Sequence, residues 1–429
     1  MNWRALILMA GLCCGVAAAQ EEPRRLTLNE ARELALKQHP RVSVASLVAL
    51  AAQQVTKQVR SAMLPRVFAS ATAVGTSDPN NTRIAAGALN NPLIYDREAD
   101  GATISQLITD FGRTWDLTKS ARSRERSQQM NLKATRALIL LEVDNAYFSA
   151  LQSQAVLEVA RNTLQARQIV LQQTQALTTN KLKSQLDLSF AMVDFDQAGI
   201  LLAKASNDLA ASFAMLSTAL GESRPETFAL AQEAMPAYVA NDYSALIIEA
   251  LDQRPDLAAL RYERDAARLY AQAERKLSYP SINALGAAGV IPTGNSHLGD
   301  DYAAAGIDLS LPIFTGGLYS ARKREAALRA NASEENVRDL ENNVARDVQI
   351  ASLNLDFAHQ RLGLTQELLD NANQALELAQ ARFKIGSSSI IELSQAELNQ
   401  TSAQISEAEA RYDYQIQRSA LDFQLGRLK

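Results

Sequence analysis

The feature that most constrains this 429-residue chain is that it is written twice. "ALKQHPRV" (35–42) matches "ALDQRPDL" (250–257) at an offset of 215, and Leu64-Pro65 pairs with Tyr279-Pro280 at the same offset. Further on the offset becomes 205: Val143 pairs with Val348, "LDLSFA" (186–191) with "IELSQA" (391–396), and "ALG" (219–221) with "QLG" (424–426). Two registers over nearly all of the chain beyond residue 20 make a tandem duplication of about 200 residues. The ten-residue difference falls between Pro65 and Gly112, where the first copy has a longer loop. Any element assigned to one copy must therefore reappear in the other.

Each copy opens with a helical pattern, 28–63 and 245–278, closed by a proline. The period then changes from 3.6 to about 2. In "AAAGIDLSLPIF" (303–314), Ala303, Ala305, Ile307, Leu309, Leu311 and Ile313 alternate with Ala304, Gly306, Asp308 and Ser310. The expected strands are 66–76 and 101–110 in the first copy, and 281–291 and 303–314 in the second. "SDPNNTR", "ALNNP" and "PTGNSHLGDD" supply the turns.

Helix returns after Gly112 and Gly317. Val348, Leu355, Leu362, Leu369, Leu376 and Phe383 recur every seven residues, with Ala351, Ala358, Thr365, Ala372 and Ala379 three residues after each. Val143, Ala150, Leu157, Leu164 and Leu171 repeat the seam, with Ala146, Ser153 and Ala160 as its small side. A seam with one large and one small side is a coiled coil whose neighbour packs close. The run 113–177 would be about 100 Å long, a length for a duct or spacer rather than a globule.

The helical pattern is interrupted once per copy. In "RFKIGSSSIIEL" (382–393), Gly386 suits a helix C′ position, and Arg382 and Lys384 complement the helix dipole. Ser389 is then an N-cap, and Glu392 completes an S-x-x-E capping box. In "TTNKLKSQLD", Asn180 can replace glycine at C′, and Ser184-x-x-Asp187 repeats the box. Both copies thus hold an antiparallel helical hairpin: 113–221 with its tip near 180–184, and 318–426 with its tip near 386–389.

Composition narrows the setting. Arg4, the apolar run from Ala5 and Ala17-Ala18-Ala19 make residues 1–19 a secretory signal peptide, cut before Gln20. The expected organisation is then a first repeat at 20–221, a linker at 222–244 and a second repeat at 245–429. Cys13 and Cys14 both lie in the signal, so the remainder relies on no disulfide. It carries 42 basic and 47 acidic residues, a net charge of −5 that points to no nucleic acid. No later stretch has 18 uncharged apolar residues, so membrane insertion would have to use strands. Four strands cannot close a membrane barrel, and bacterial barrels start at eight. Several chains must share one barrel, and two, three or four all satisfy this argument.

An exported chain with two copies of helix, strand pair and helical hairpin resembles the TolC family of outer-membrane efflux ducts. "DFGR" (110–113) and "PIFTGG" (312–317) resemble that family's strand-to-helix junctions, and "RFKIGSSSIIELSQAEL" (382–398) its hairpin-tip signature. The resemblance covers 26–428. It implies a mainly α fold with a β-barrel contribution: a homotrimer whose twelve strands form one barrel in outer-membrane lipid, continued by a periplasmic α-helical barrel. The location implied is the outer membrane of a Gram-negative-type bacterium. The function implied is a passive exit duct for small molecules handed over by an inner-membrane pump and a periplasmic adaptor (membrane fusion) protein. The same fold serves protein secretion with an inner-membrane exporter. A periplasmic coiled-coil scaffold is a third reading, against which the two-residue alternation argues.

The resemblance places Asp187 and Glu392 at the periplasmic constriction, with Gln395 where relatives often carry a second acid. The capping boxes give both acids a structural job as well. Lys181, Leu182, Arg382, Gly386, Ser387 and Ser388 are the adaptor-docking candidates at the tips. Trp115, just past a strand end, reads as an interfacial anchor. No catalytic, metal or cofactor site is expected. His39, His297 and His359 lack metal-ligand spacing, and "FTGGLYSARK" lacks the phosphate-loop order. Asp194 and Asp196 lie two apart on a helix and face different ways.

Overall fold

The computed structural model describes residues 24–74, 97–224, 226–238, 242–293 and 300–429. The expected signal peptide, His297 and most of the strand-pair turns lie outside these residues. Strand β1 (Arg24–Leu26) is followed by helices α1 (Leu28–Gln38) and α2 (Pro40–Arg60), then β2 (Arg66–Val74) and β3 (Arg97–Thr109). The first hairpin is α3 (Arg113–Thr179) and α4 (Gln185–Leu220). The second copy repeats this as β4 (Phe228–Leu230), α5 (Tyr243–Gln253), α6 (Pro255–Arg275), β5 (Ser281–Thr293), β6 (Asp301–Ser310), α7 (Leu318–Lys384) and α8 (Ile390–Gln424).

Two of the expected helices are broken. The pattern 28–63 divides at His39, and 245–278 at Arg254, because each precedes a proline. The proline ring drives the preceding residue out of the helical region, and both residues sit at φ −66° with ψ 125° or 122°. Strand β6 stops at Ser310, short of the expected 314, since Pro312 has no N–H for a ladder. The three-residue strand β4 lies within the segment expected to be linker and pairs in parallel with β1, at the start of the expected first repeat.

Strands β2, β3, β5 and β6 form one antiparallel sheet in that order. The register places Ala102, Ile104, Ile282, Ala284, Ala303, Ala305, Ile307 and Leu309 on one face. The other face carries Thr103, Ser105, Asn283, Asp308 and Ser310. Among the described residues, strands β2 and β6 are edges without a partner strand.

Each of the two long helices, α3 and α7, has 67 residues and so runs about 100 Å. Next to the sheet the helices stand side by side in the order α2, α3, α6, α7; toward the tips the order is α4, α3, α8, α7. Val143, Ala150, Leu157 and Ala160 are buried along α3, and Val348, Ala351, Leu355, Ala358 and Thr365 along α7, as the seven-residue seam requires. No described helix is long and apolar enough to cross a membrane.

Between sheet and tips, the short elements form a collar. The Tyr147 hydroxyl donates to the carbonyls of Leu26 (3.0 Å) and Ala231 (2.7 Å), and burial pushes its pKa up to about 12. It therefore remains a donor at any ordinary pH, fastening β1 and the segment after β4 to α3. Arg32 grips the fully buried Asp144 with two 2.6 Å hydrogen bonds. In the second copy, Tyr238 and Tyr243 both donate to Asp356 at 2.9 and 3.0 Å, and Tyr238 stacks on His359 at 4.1 Å. A Cβ on Gly221 would lie 2.8 Å from Cα of His39, so the end of α4 packs directly on the α1–α2 break.

Candidate functional site

The hairpin tips are built by the same backbone device in both copies. The Leu182 N–H reaches back to the carbonyl of Leu177 (2.9 Å), and the Ser387 N–H to that of Arg382 (2.9 Å). Each is the six-to-one bond of a Schellman turn, which needs a left-handed residue just before it. In the second tip that residue is Gly386, with φ 73°. In the first it is Lys181, with φ 58°, and not Asn180, which stays at φ −85° as the helix cap. Lys181 and Gly386 are equivalent at offset 205, so the duplication kept the backbone shape while the side chain changed.

The two acids differ in what they do. Ser184 and Asp187 form the complete capping box: the Asp187 N–H donates to Ser184 Oγ (3.1 Å), and Asp187 Oδ2 accepts from the Ser184 N–H (3.0 Å). Those bonds from Ser184 hold the Asp187 carboxyl below the usual carboxylate range. The second box is only half made. The Glu392 N–H donates to Ser389 Oγ (3.3 Å), but the Glu392 carboxylate turns away and accepts from Arg382 Nη1 at 2.8 Å. Glu392 thus closes the neck of its hairpin by a charge pair across the turn. Gln395, one turn on, is exposed and bonds Asn399 at 2.9 Å.

Lys181, Leu182, Arg382, Gly386 and Ser387 are exposed at the tips, with Leu182 at 70 %. Ser388 is half-buried, and its Oγ has no hydrogen-bond partner among the described residues. Two features escape spacing arguments because they join the copies. The Lys183 ammonium sits 4.5 Å from the Phe383 ring centre, tying the first tip to the second. Deeper in, Arg167 of α3 is buried against Glu397 of α8 as an ion pair, with Asp194 of α4 3.8 Å away. Ser394 donates to Asp194 at 2.6 Å. Asp194 therefore has a defined partner set that its two-residue distance from Asp196 could not reveal. Burial lowers the Arg167 pKa, and Asp194 opposes that shift.

At the other end of α3, Glu274 of α6 is 1 % exposed and receives Arg322 Nε of α7 at 2.8 Å, with Arg113 Nη2 of α3 at 3.6 Å. Lys276 pairs with the buried Asp116 at 2.7 Å. These charges lock α3, α6 and α7 together just below the sheet. His39 accepts from the Arg41 N–H, and His359 is stacked on Tyr238, so the two described histidines serve the collar.

A sequence profile of the family described as outer membrane efflux protein matches residues 31–222 and 246–427, one block for each copy. The outer membrane protein TolC of Vibrio cholerae is 26 % identical over 310 residues, which is 70 % of each chain. The probable outer membrane lipoprotein SilC of Salmonella typhimurium is 26 % identical over 338 residues, covering 76 % of this chain and 71 % of its own. Among solved structures, the outer membrane protein VceC from Vibrio cholerae superimposes with a TM-score of 0.78 at 19 % identity, over 93 % of this chain and 96 % of that one. That last likeness speaks to the fold, which is the duplicated strand-pair and helical-hairpin unit. The profile match spans both copies and all of the geometry above, and the chain belongs to the outer membrane efflux protein family, a family of outer-membrane channels rather than of enzymes.

Proposed function

We propose that three copies of the chain close into one duct, the passive exit of a tripartite efflux system, with no active site of its own. The observation that carries this reading is a four-stranded sheet whose two edges are unpaired among the described residues. An open edge is not tolerated in lipid. Strand β6 of one copy can pair antiparallel with β2 of the next, and three copies make twelve strands, an even number as bacterial barrels require.

The helical wall supports the same closure. Exposed large apolar side chains concentrate on its flanks: Val44, Leu47 and Leu50 on α2, Ile200 on α4, and Leu353 and Phe357 on α7. Helix α6, in the middle, has none. Flanks of this kind suit a head-to-tail ring in which α7 of one copy covers α2 and α4 of the next.

At the tips, Lys181, Leu182, Arg382, Gly386, Ser387 and Ser388 form the face for a periplasmic adaptor that brings the inner-membrane pump. Asp187, Glu392 and Gln395 lie at the constriction. Arg382 neutralises Glu392, so adaptor binding that draws Arg382 away both frees the tip and exposes a ring of acids.

The test is ethidium accumulation in cells lacking the chain. Accumulation should rise and return to its original level with the wild-type gene, but not with a Leu182→Glu/Gly386→Asp variant that still reaches the outer membrane. Unchanged accumulation together with loss of a secreted polypeptide would replace efflux by secretion.

A further inference from the structure

Helix α3 carries an exposed stripe with an unusual composition. Trp115, Lys119, Arg122, Arg126, Lys133 and Arg136 fall on one face, all exposed, with the half-buried Glu125 at its edge. Because α3 stands between α2 and α6, this face meets no neighbouring copy in the ring proposed above, on which the inference rests. It must face either the lumen or the outside. Lys133 and Arg136 line a cavity of about 420 Å³ together with Gln253, Pro255 and Gly426, which belong to the collar. Tyr147, four heptads below Lys119, carries β1 and the segment after β4. A collar inside the wall would block the duct, so the collar and the stripe are both on the outside.

The top of this stripe adjoins an aromatic belt at the strand ends. Phe111, Trp115, Tyr279 and Phe314 are 50 %, 56 %, 53 % and 88 % exposed. Lys119 does not point away from it: its ammonium lies 5.5 Å from the Trp115 ring centre, which brings the charge up to the level of the aromatic ring. The equivalent position in the second copy, Arg324, is also an exposed cation. Two sets of cations stand out at the junction. Arg113, Lys276 and Arg322 are taken up by the buried acids Glu274 and Asp116. Lys119, Arg122 and Arg324 have no acidic partner among the described residues, although Asp and Glu outnumber Lys and Arg in the chain.

We infer that Lys119, Arg122 and Arg324 form an outward-facing cationic belt that binds the phosphates of anionic phospholipid headgroups in the leaflet facing the periplasm. The depth agrees. Lys119 and Arg122 lie about 6 and 10 Å along the helix from Trp115, within reach of a headgroup layer some 5–8 Å thick. Lys133 and Arg136 lie about 27–32 Å away and take no part.

The experiment reconstitutes the full chain into nanodiscs of phosphatidylethanolamine and phosphatidylglycerol in equal parts and measures the lipid retained after detergent exchange. Wild type should retain phosphatidylglycerol several-fold over phosphatidylethanolamine, with the preference fading at high salt. A Lys119→Glu/Arg122→Glu/Arg324→Glu variant should insert equally and lose the preference. Equal retention of both lipids by wild type, or a preference that survives in the variant, overturns the belt and leaves the duct intact. Binding to isolated cell-wall sacculi that the variant loses, with lipid retention unchanged, assigns the belt to the wall and overturns it as well. Failure of wild type to insert at all overturns the barrel and the belt together.

Discussion

Lys181 is the clearest single-residue tension in the structure. Its φ of 58° places a side chain where glycine sits in the other copy. A non-glycine residue in the left-handed region costs about 1–2 kcal/mol, so Lys181→Gly should raise the melting temperature of the first hairpin by the equivalent of about 1 kcal/mol. A drop in melting temperature would mean that the lysine side chain itself holds the tip. Ser184→Ala should cost about 1 kcal/mol through loss of the cap. Because Asp187 is held below its unfolded value, its contribution is present at neutral pH and fades as pH falls through about 4 and below. The gap between wild type and Ser184→Ala should narrow there, and an acid melting series checks it. The cap at Ser184 was legible from S-x-x-D because both partners lie within one turn. The partner of Glu392 was not, because Arg382 reaches it across the turn, and local spacing carries no record of that competition.

At the scale of elements, the charge cluster Arg167–Glu397–Asp194 joins α3, α8 and α4. Removing one member leaves an uncompensated buried charge, so Arg167→Met should cost about 3–5 kcal/mol in a thermal melt. Arg167→Met/Asp194→Asn/Glu397→Gln should recover most of that loss. The exposed Arg382–Glu392 pair should be worth no more than about 1 kcal/mol when broken. A single Arg167 variant that loses as little as that surface pair would contradict the cluster's role. The hairpins were legible because a seven-residue seam from Val348 to Phe383, matched in the first copy, leaves no competing period. The breaks at His39 and Arg254 were missed because apolar spacing continues through Pro40 and Pro255 while the backbone does not. Strands β1 and β4, three residues each, are too short to show any period; their pairing, the burial of Leu26 and Phe228 and the Tyr147 hydroxyl hold them.

For the whole molecule, the duplication made the architecture readable, since two copies of one unit had to agree on strands, junction glycines and tips. The number of copies in the assembly was not readable. An edge strand records that it needs a partner, and the exposed flanks of α2, α4 and α7 record where, but neither holds a count. The surface charges at the junction were visible only as single letters until the fold separated those facing buried acids from those facing out. Closure of three four-stranded sheets into one barrel is tested by the native mass of the protein extracted from outer-membrane fractions in mild detergent. A three-chain species is expected in that fraction. A soluble periplasmic monomer would contradict it, because a four-stranded sheet with two free edges cannot face lipid alone.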